Sequence, residues 1–280
     1  MAFPGKHLGT ASIVALIWCV TVGPSIAQSH VPDLSGVWAR DAHSFPKPYR
    51  TNGEITDGYD NEYLLPWVVE LLNRDALVQA SSRTVASPHS ICYPEGIPYA
   101  FGGTQVQILQ TPDEITILFG DTNQWRTIRL NDSHPDDVEP SWYGDSVGHF
   151  EGDTLVVDTV GLAVNPQSGS MGGAGSMGGF GTPHTEQLHV VERWRFLREG
   201  EVTIAPPARN DSFDAAAVVQ DGKIMRLTFT SEDRLAYRKP WTVTLDYLEL
   251  DARLREFACA ENSRFWDLEP LIPISTTPDF

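Results

Sequence analysis

Basic residues are scarce in this chain. It has 280 residues, with 20 Lys and Arg against 37 Asp and Glu and a formal net charge of −17. Nucleic acids and anionic membranes are held by clustered cations, so the composition argues against both as partners. A small anionic ligand needs only one or two local arginines and stays open. Cysteine is scarcer still, at 3 residues with no CxxC spacing. No GxGxxG joins a strand to a helix and no GxxxxGK[ST] is present, so nucleotide binding has no support. HExxH is missing too. No alternation of strand and helix suggests a parallel α/β sheet.

What is present is a globular composition. Apolar residues make up 41%, aromatics 10% and charged residues 20%, which is enough for one sizeable core and too hydrophobic for disorder over most of the chain. Residues 1–27 read as a separate object. Lys6 gives a positive start, Ala11 to Gly23 is apolar, and Ser25-Ile26-Ala27 sets small residues before Gln28. That is the layout of a secretory signal peptide, with an apolar run too short to span a bilayer comfortably. The expectation is an exported chain, periplasmic or secreted, with residues 28–280 forming one domain. Cys19 would leave with the leader. Cys92 and Cys259 would then form one disulfide, closing a loop of roughly 165 residues and contributing up to about 5 kcal/mol in the chain-entropy model.

The pattern along the chain is mostly β. Gly36-Val37-Trp38 starts a first strand, with Trp38 in the core. Pro66 suits the first turn of a helix of about three turns. Its apolar positions are Trp67, Leu71 and Val78, with Val68, Leu72 and Ala76 beside them. Cys92 to Pro98 is too rich in proline and glycine to be regular. Strands are expected at 105–110, 115–119, 125–130, 155–160, 188–196, 202–204, 224–230, 241–248 and 254–259. Short strands at close spacing with one N-terminal helix predict a mainly β fold, an antiparallel barrel. Residues 167–181 repeat Gly-Ser-Met-Gly-Gly and cannot pack a core alone. They read equally as a passive insertion or as a lid carrying Met171, Met177 and Phe180 over a pocket.

That Gly/Met segment is flanked by the richest polar constellation. His134, His149, His184 and His189 lie near Asp132, Asp145, Glu151, Asp158, Glu186 and Glu192, with Arg126, Arg129 and Arg193 on strands. Three chemistries compete. A histidine whose tautomer is fixed by a carboxylate can move protons near neutral pH. An arginine in a barrel can hold a substrate carboxylate with two parallel hydrogen bonds. A metal site would take His134, His184 and His189, with Glu186, although His-x4-His matches no trusted zinc spacing. Structural roles for the same side chains are the third possibility. Tyr143 and His149 are further candidate substrate contacts. Ser141 or Ser146 with His184 and Asp158 can be written as a triad, but nothing in their spacing asks for one.

Seven runs in this chain occur together in a known group. They are PDLSGVW (32–38), CYPEGIP (92–98), HP (134–135), GDSVG (144–148), EGDTLVVDT (151–159), PHTEQLHVVER (183–193) and CAEN (259–262). On these runs, which cover nearly all of residues 28–280, the chain resembles a large group of secreted bacterial proteins. The resemblance implies export, a calycin-like or lipocalin-like β-barrel, and a shared polar site around His134, His184 and His189. Where relatives carry polar and Trp residues before the Pro-His motif, this chain has the Gly/Met repeat.

These readings converge on an exported, cofactor-independent enzyme acting on a small, aromatic molecule, first of all a decarboxylase-type lyase. His184 or His134 would be the acid–base group, with Glu186 orienting it and His189 close by. Arg126 or Arg129 would hold the carboxylate. The alternatives are a hydrolase holding a divalent transition metal on the same histidines, and a non-catalytic small-molecule carrier. Mass spectrometry of the exported protein should find Gln28 as the first residue and, before reduction, a linked Cys92–Cys259 peptide pair. Two free thiols would remove the disulfide.

Overall fold

The computed structural model describes residues 1–2, 31–41, 63–80, 94–103, 105–120, 122–164, 183–201, 219, 222–254 and 256. Cys92, Cys259, nearly all of the leader, the Gly/Met repeat and the expected strand at 202–204 lie outside the described residues, as does most of the one at 254–259. Strand β1 is Gly36–Arg40, followed by helix α1 (Pro66–Ala80) and a short 3-10 helix (Tyr99–Gly102). Strands β2 (Gln105–Gln110), β3 (Glu114–Phe119), β4 (Gln124–Leu130) and β5 (Asp145–Glu151) come next. Strands β6 (Thr154–Val160), β7 (His189–Phe196), β8 (Ile224–Glu232) and β9 (Trp241–Leu250) complete the set. Among the described residues these nine strands close into one barrel in chain order. Val37 lies opposite Leu250, which joins the first strand to the last.

The barrel is mixed, which corrects the expectation of a wholly antiparallel one. Strands β4 and β5 run parallel, with Arg129 opposite Val147 and Leu130 opposite Gly148. The other neighbours are antiparallel. Parallel neighbours need a crossover of a dozen or more residues, and residues 131–144 supply it. The crossover is tied to the end of β6: Ser141 N donates to Gly161 O at 3.0 Å, and Ala163 N donates to Ser141 O at 2.8 Å. Gly161 has φ +67, and a Cβ there would overlap Val138 of the crossover. Glycine is therefore required at that point for conformation and for space. Strand β5 itself was not expected. Its Gly148 weakens the strand pattern, yet a Cβ at Gly148 would lie 2.9 Å from Ile128 Cγ2.

Alternation along the strands separates two faces. The inner face is aromatic, with Trp38, Trp194, Trp241, Tyr247 and Phe229 fully buried. The 3-10 helix enters this lumen. Phe101 packs edge-on to Trp194 at 6.0 Å and tilted to Phe229 at 5.1 Å. Tyr247 OH donates to Phe101 O at 3.2 Å and Arg40 Nε donates to Gly103 O at 3.1 Å. The lumen is thus plugged by the chain's own segment.

Helix α1 lies at the rim where β5, β7 and β9 begin, the upper rim. Leu64 bridges Tyr237, and Leu65 N donates to Ala236 O at 2.9 Å. Among the described side chains of the helix, Val68 and Leu72 are buried, spaced four apart on one face, with Leu64 buried just before it. Trp67, expected in the helix's apolar face, is 41% exposed and anchors outside by donating from Nε1 to Leu235 O at 2.7 Å. No helix among the described residues is long and apolar enough to cross a membrane.

If Phe101 is the plug's anchor, Phe101→Ala should cost about 3–5 kcal/mol of stability in urea unfolding. Leu109→Ala, at a 47% exposed position, should stay within about 0.5 kcal/mol. Equal, small losses at both positions would mean the lumen does not depend on the plug.

Candidate functional site

The wall formed by β4 to β7 carries polar groups on both faces near the upper rim. Successive residues of a strand point to opposite faces, so neighbours in sequence are split between two networks. On the outer face stand Arg129 of β4, Asp145 of β5, Asp158 of β6 and His189 of β7. The crossover adds His134.

These five side chains form one hydrogen-bonded chain. Arg129 NH1 donates to Asp145 Oδ2 at 2.7 Å, and its NH2 to Asp145 Oδ1 at 3.2 Å. His134 Nδ1 meets Asp145 Oδ1 at 2.5 Å, and His134 Nε2 meets Asp158 Oδ1 at 3.1 Å. His189 Nε2 meets Asp158 Oδ2 at 2.9 Å. Arg129 Nε also donates to the exposed Asp132 Oδ2 at 2.7 Å. Each of the two carboxylates, Asp145 and Asp158, thus lies between two nitrogen-bearing side chains.

The electrostatics follow from the pairing. The Arg129 guanidinium, with the His134 contact, holds the Asp145 carboxyl below the usual aspartate range. His189 and then His134 do the same for Asp158. The Asp158 carboxylate raises the pKa of His189 above its ordinary value, against partial burial. His189 is 39% exposed, and the nitrogen not bound to Asp158 is Nδ1.

The inner face holds a second network. Arg126 NH1 and NH2 donate to Glu192 Oε1 and Oε2 at 2.9 and 2.6 Å, and both side chains are almost wholly buried. Trp194 Nε1 donates to Glu192 Oε2 at 2.9 Å. Ser146 and Thr159 hydroxyls meet at 3.0 Å. Tyr143 OH donates to Gln124 Oε1 at 2.7 Å. Burial, with the field of Glu95, pushes the Tyr143 phenol up.

The residues named from the sequence are therefore distributed over separate places. His134 and His189 share Asp158, with Arg129 at the far end of the same chain. Arg126 and Tyr143 face inward, and the fork of Arg126 is already filled by Glu192. His149 is exposed on the outer face, 3.4 Å from Glu151 Oε1, while Glu151 Oε2 accepts from Arg193 NH1 at 2.8 Å. His184 belongs to another cluster. Its Nδ1 lies 3.0 Å from Thr185 O, and desolvation pulls its pKa down despite that carbonyl and Asp233. Asp233 is buried and accepts from Thr185 N, Thr185 Oγ1 and Leu235 N at 2.5, 3.0 and 2.9 Å. Glu186 is exposed, and the hydrogen-bond partner of His184 is Thr185 O.

Neither the triad nor the metal set forms. Gly144-Asp145-Ser146-Val147-Gly148 does spell GxSxG, but it runs into strand β5 instead of turning into a helix, as a nucleophile elbow requires. Ser146 points inward while Asp158 points outward. No group of three or more His, Cys, Asp or Glu among the described residues has the arrangement of a metal site, and His184 is bound into a cluster of its own. The acids that complete the outer chain, Asp145 and Asp158, appeared in the sequence only as neighbours. Their place in the GDSVG and EGDTLVVDT runs was the available signal.

No protein-family model, curated protein or solved structure matches this chain. Neither the secreted group nor the calycin or lipocalin assignment gains support from these comparisons.

The outer chain predicts a distinctive pH dependence. Asp145 and Asp158 have lowered pKa values, so their contribution is present above the ordinary aspartate value of 3.8 and is lost as pH falls through the lowered values. His189 has a raised pKa, so its contribution is present below the ordinary 6.5 and is lost as pH rises through the raised value. The stability gap between the natural protein and Asp158→Asn should be widest between pH 3.8 and 6.5. Denaturant midpoints across pH would show this, and a gap independent of pH would contradict the charged pairing.

Proposed function

We propose that this chain is an exported enzyme that moves a proton on a small molecule, with His189 as the acid–base group and no cofactor. The supporting observation is the chain Arg129–Asp145–His134–Asp158–His189, which ends at a half-exposed imidazole. General acid–base catalysis needs a group whose tautomer is fixed and whose pKa lies near the working pH. Asp158 binds His189 Nε2, leaving Nδ1 to meet a substrate. His134, Asp145 and Arg129 act through Asp158 and are positioning residues. His189 takes the place first given to His184, and Asp158 that of Glu186.

The first reaction to test is decarboxylation of an aromatic acid. The bond from the ring-bearing carbon framework to the carboxylate breaks, CO₂ leaves, and the electron pair left on carbon takes the proton from His189. The substrate carboxylate would sit at the Nε edge of Arg129, where Asp132 is 52% exposed and can be displaced. Arg126 has no such edge facing solvent.

The test is CO₂ release from a panel of hydroxylated aromatic acids by the exported protein. Generic acid–base catalysis contributes about 100- to 10,000-fold, so His189→Gln should lower kcat by that range. Asp158→Asn should move the histidine-dependent limb of the pH profile to lower pH, which a merely structural role would not do. No release from any acid that binds, or equal rates in His189→Gln, would overturn the reading.

A further inference from the structure

Polar side chains on the outer wall from β5 to β9 are largely paired. Arg193 binds Glu151, Arg195 binds Glu201 and Arg226 binds Asp246. Even hydroxyls pair: Thr228 meets Thr244 at 3.1 Å, and Thr230 meets Thr242 at 2.8 Å. Strands β2, β3 and β4 differ. Burial alternates along each of them, so Gln107, Leu109, Thr116, Leu118, Trp125 and Thr127 face outward. Thr116 lies opposite Thr127, yet the side chains of Thr116, Thr127 and Gln107 have no hydrogen-bond partner among the described residues.

Trp125 stands on this face at 65% exposure. Register sets it in a row with Leu118 and Gln107, and Thr127, Thr116 and Leu109 form the next row. Leu109 is 47% exposed. Trp38, Trp67 and Trp194 each donate Nε1–H to a partner, Trp67 from an exposed position. Trp125 has no hydrogen-bond partner among the described residues. Its ring face and its N–H are both available, an amphipathic combination typical of binding surfaces.

The mixture of side chains defines the ligand. All six are uncharged, in a chain of net charge −17, so the face offers an anion no cation and a cation no carboxylate. Its apolar groups are interrupted by Gln and Thr in both rows, whereas the centre of a protein interface is continuous and apolar. A sugar ring matches the interruption. Its polarised C–H groups lie against the negative face of an indole, and its hydroxyls reach neighbouring amide and hydroxyl groups. A sheet face is open at both ends and suits a straight chain of rings. We propose that the outer face of β2–β4 binds a neutral, extended glycan, with one ring stacked on Trp125. Gln107, Thr116 and Thr127 hydrogen-bond its hydroxyls. This site does not rest on the acid–base reading of His189.

The probe is cellohexaose, whose β-linkages hold the chain straight. Calorimetric titration of the exported protein should give saturable, one-to-one binding. Maltohexaose has the same rings on a coiled chain and should bind about fivefold more weakly. Trp125→Ala should weaken cellohexaose about tenfold. Thr116→Val keeps the shape but removes the hydroxyl, and should weaken it about threefold, so the test survives if Trp125→Ala fails to fold. Thr244→Val, on the paired β8–β9 face, should leave affinity unchanged. No saturable binding, equal affinity for maltohexaose, or unchanged affinity in both Trp125→Ala and Thr116→Val would overturn the proposal. So would a dimer in light scattering that Trp125→Ala dissolves, since a second copy would then cover the face. Turnover by His189 variants reads another part of the wall, so either reading can fail while the other stands.

Discussion

The parallel seam between β4 and β5 is the constraint on which the rest of the wall depends. An antiparallel neighbour could have been reached by a tight turn, but a parallel one obliges the chain to travel back to the upper rim before β5 can start. That return path is the crossover, and it needs fastening because the seam itself pairs only Arg129 with Val147 and Leu130 with Gly148. The fastening is polar. Arg129 reaches from β4 to Asp145 of β5, and His134 ties the crossover to Asp145 and to Asp158 of β6. The outer chain proposed for catalysis is thus also what holds the seam. A partly exposed position is what allows this. Each pair alone adds little stability in water, but the chain fixes every donor and acceptor in place.

Behind it, the same strands solve the opposite problem. Arg126 and Glu192 are removed from water, which costs several kcal/mol per ion before their attraction offsets it. The bidentate fork and the Trp194 donor supply the geometry that makes the pair tolerable. Alternation of side chains places an exposed, titrating network and a buried, neutralised one on either side of a single sheet. Neighbouring residues such as Asp158 and Thr159 therefore take part in different chemistry.

Much of the barrel was legible in the sequence, because period-two alternation in β2, β3, β4, β7, β8 and β9 marks half-buried strands directly. The parallel seam was not, since direction depends on the path of residues 131–144 and alternation is the same for either sense. Strand β5 was hidden by Gly148, whose reason for being glycine is contact with Ile128 on another strand. Trp67 misled because its ring is apolar while its Nε1 serves an outer carbonyl. For the candidate site, His134, His189 and Arg129 fall in one region of sequence, and the structure joins them through carboxylates that spacing could not select. His184 lies only five residues from His189, yet a turn before β7 sends it to Asp233. Arg126 and Arg129 share a strand three residues apart, which places them on opposite faces.

Closure of the barrel by β1 and β9 has a consequence for how the molecule is made. The first strand finds one of its two partners only at the far end of the chain, a contact of the slow, non-local kind. Until β9 is available, β1 and β8 each present an unpaired edge able to join a strand from another molecule. The 3-10 plug shares that timing, because Phe101 rests against β7 and β8 and is held by Tyr247 of β9. Assembly is therefore decided late and all at once. A chain of this design is most vulnerable to aggregation just before its last strand arrives, and a truncation that removes β9 would leave a sticky open sheet instead of a smaller barrel.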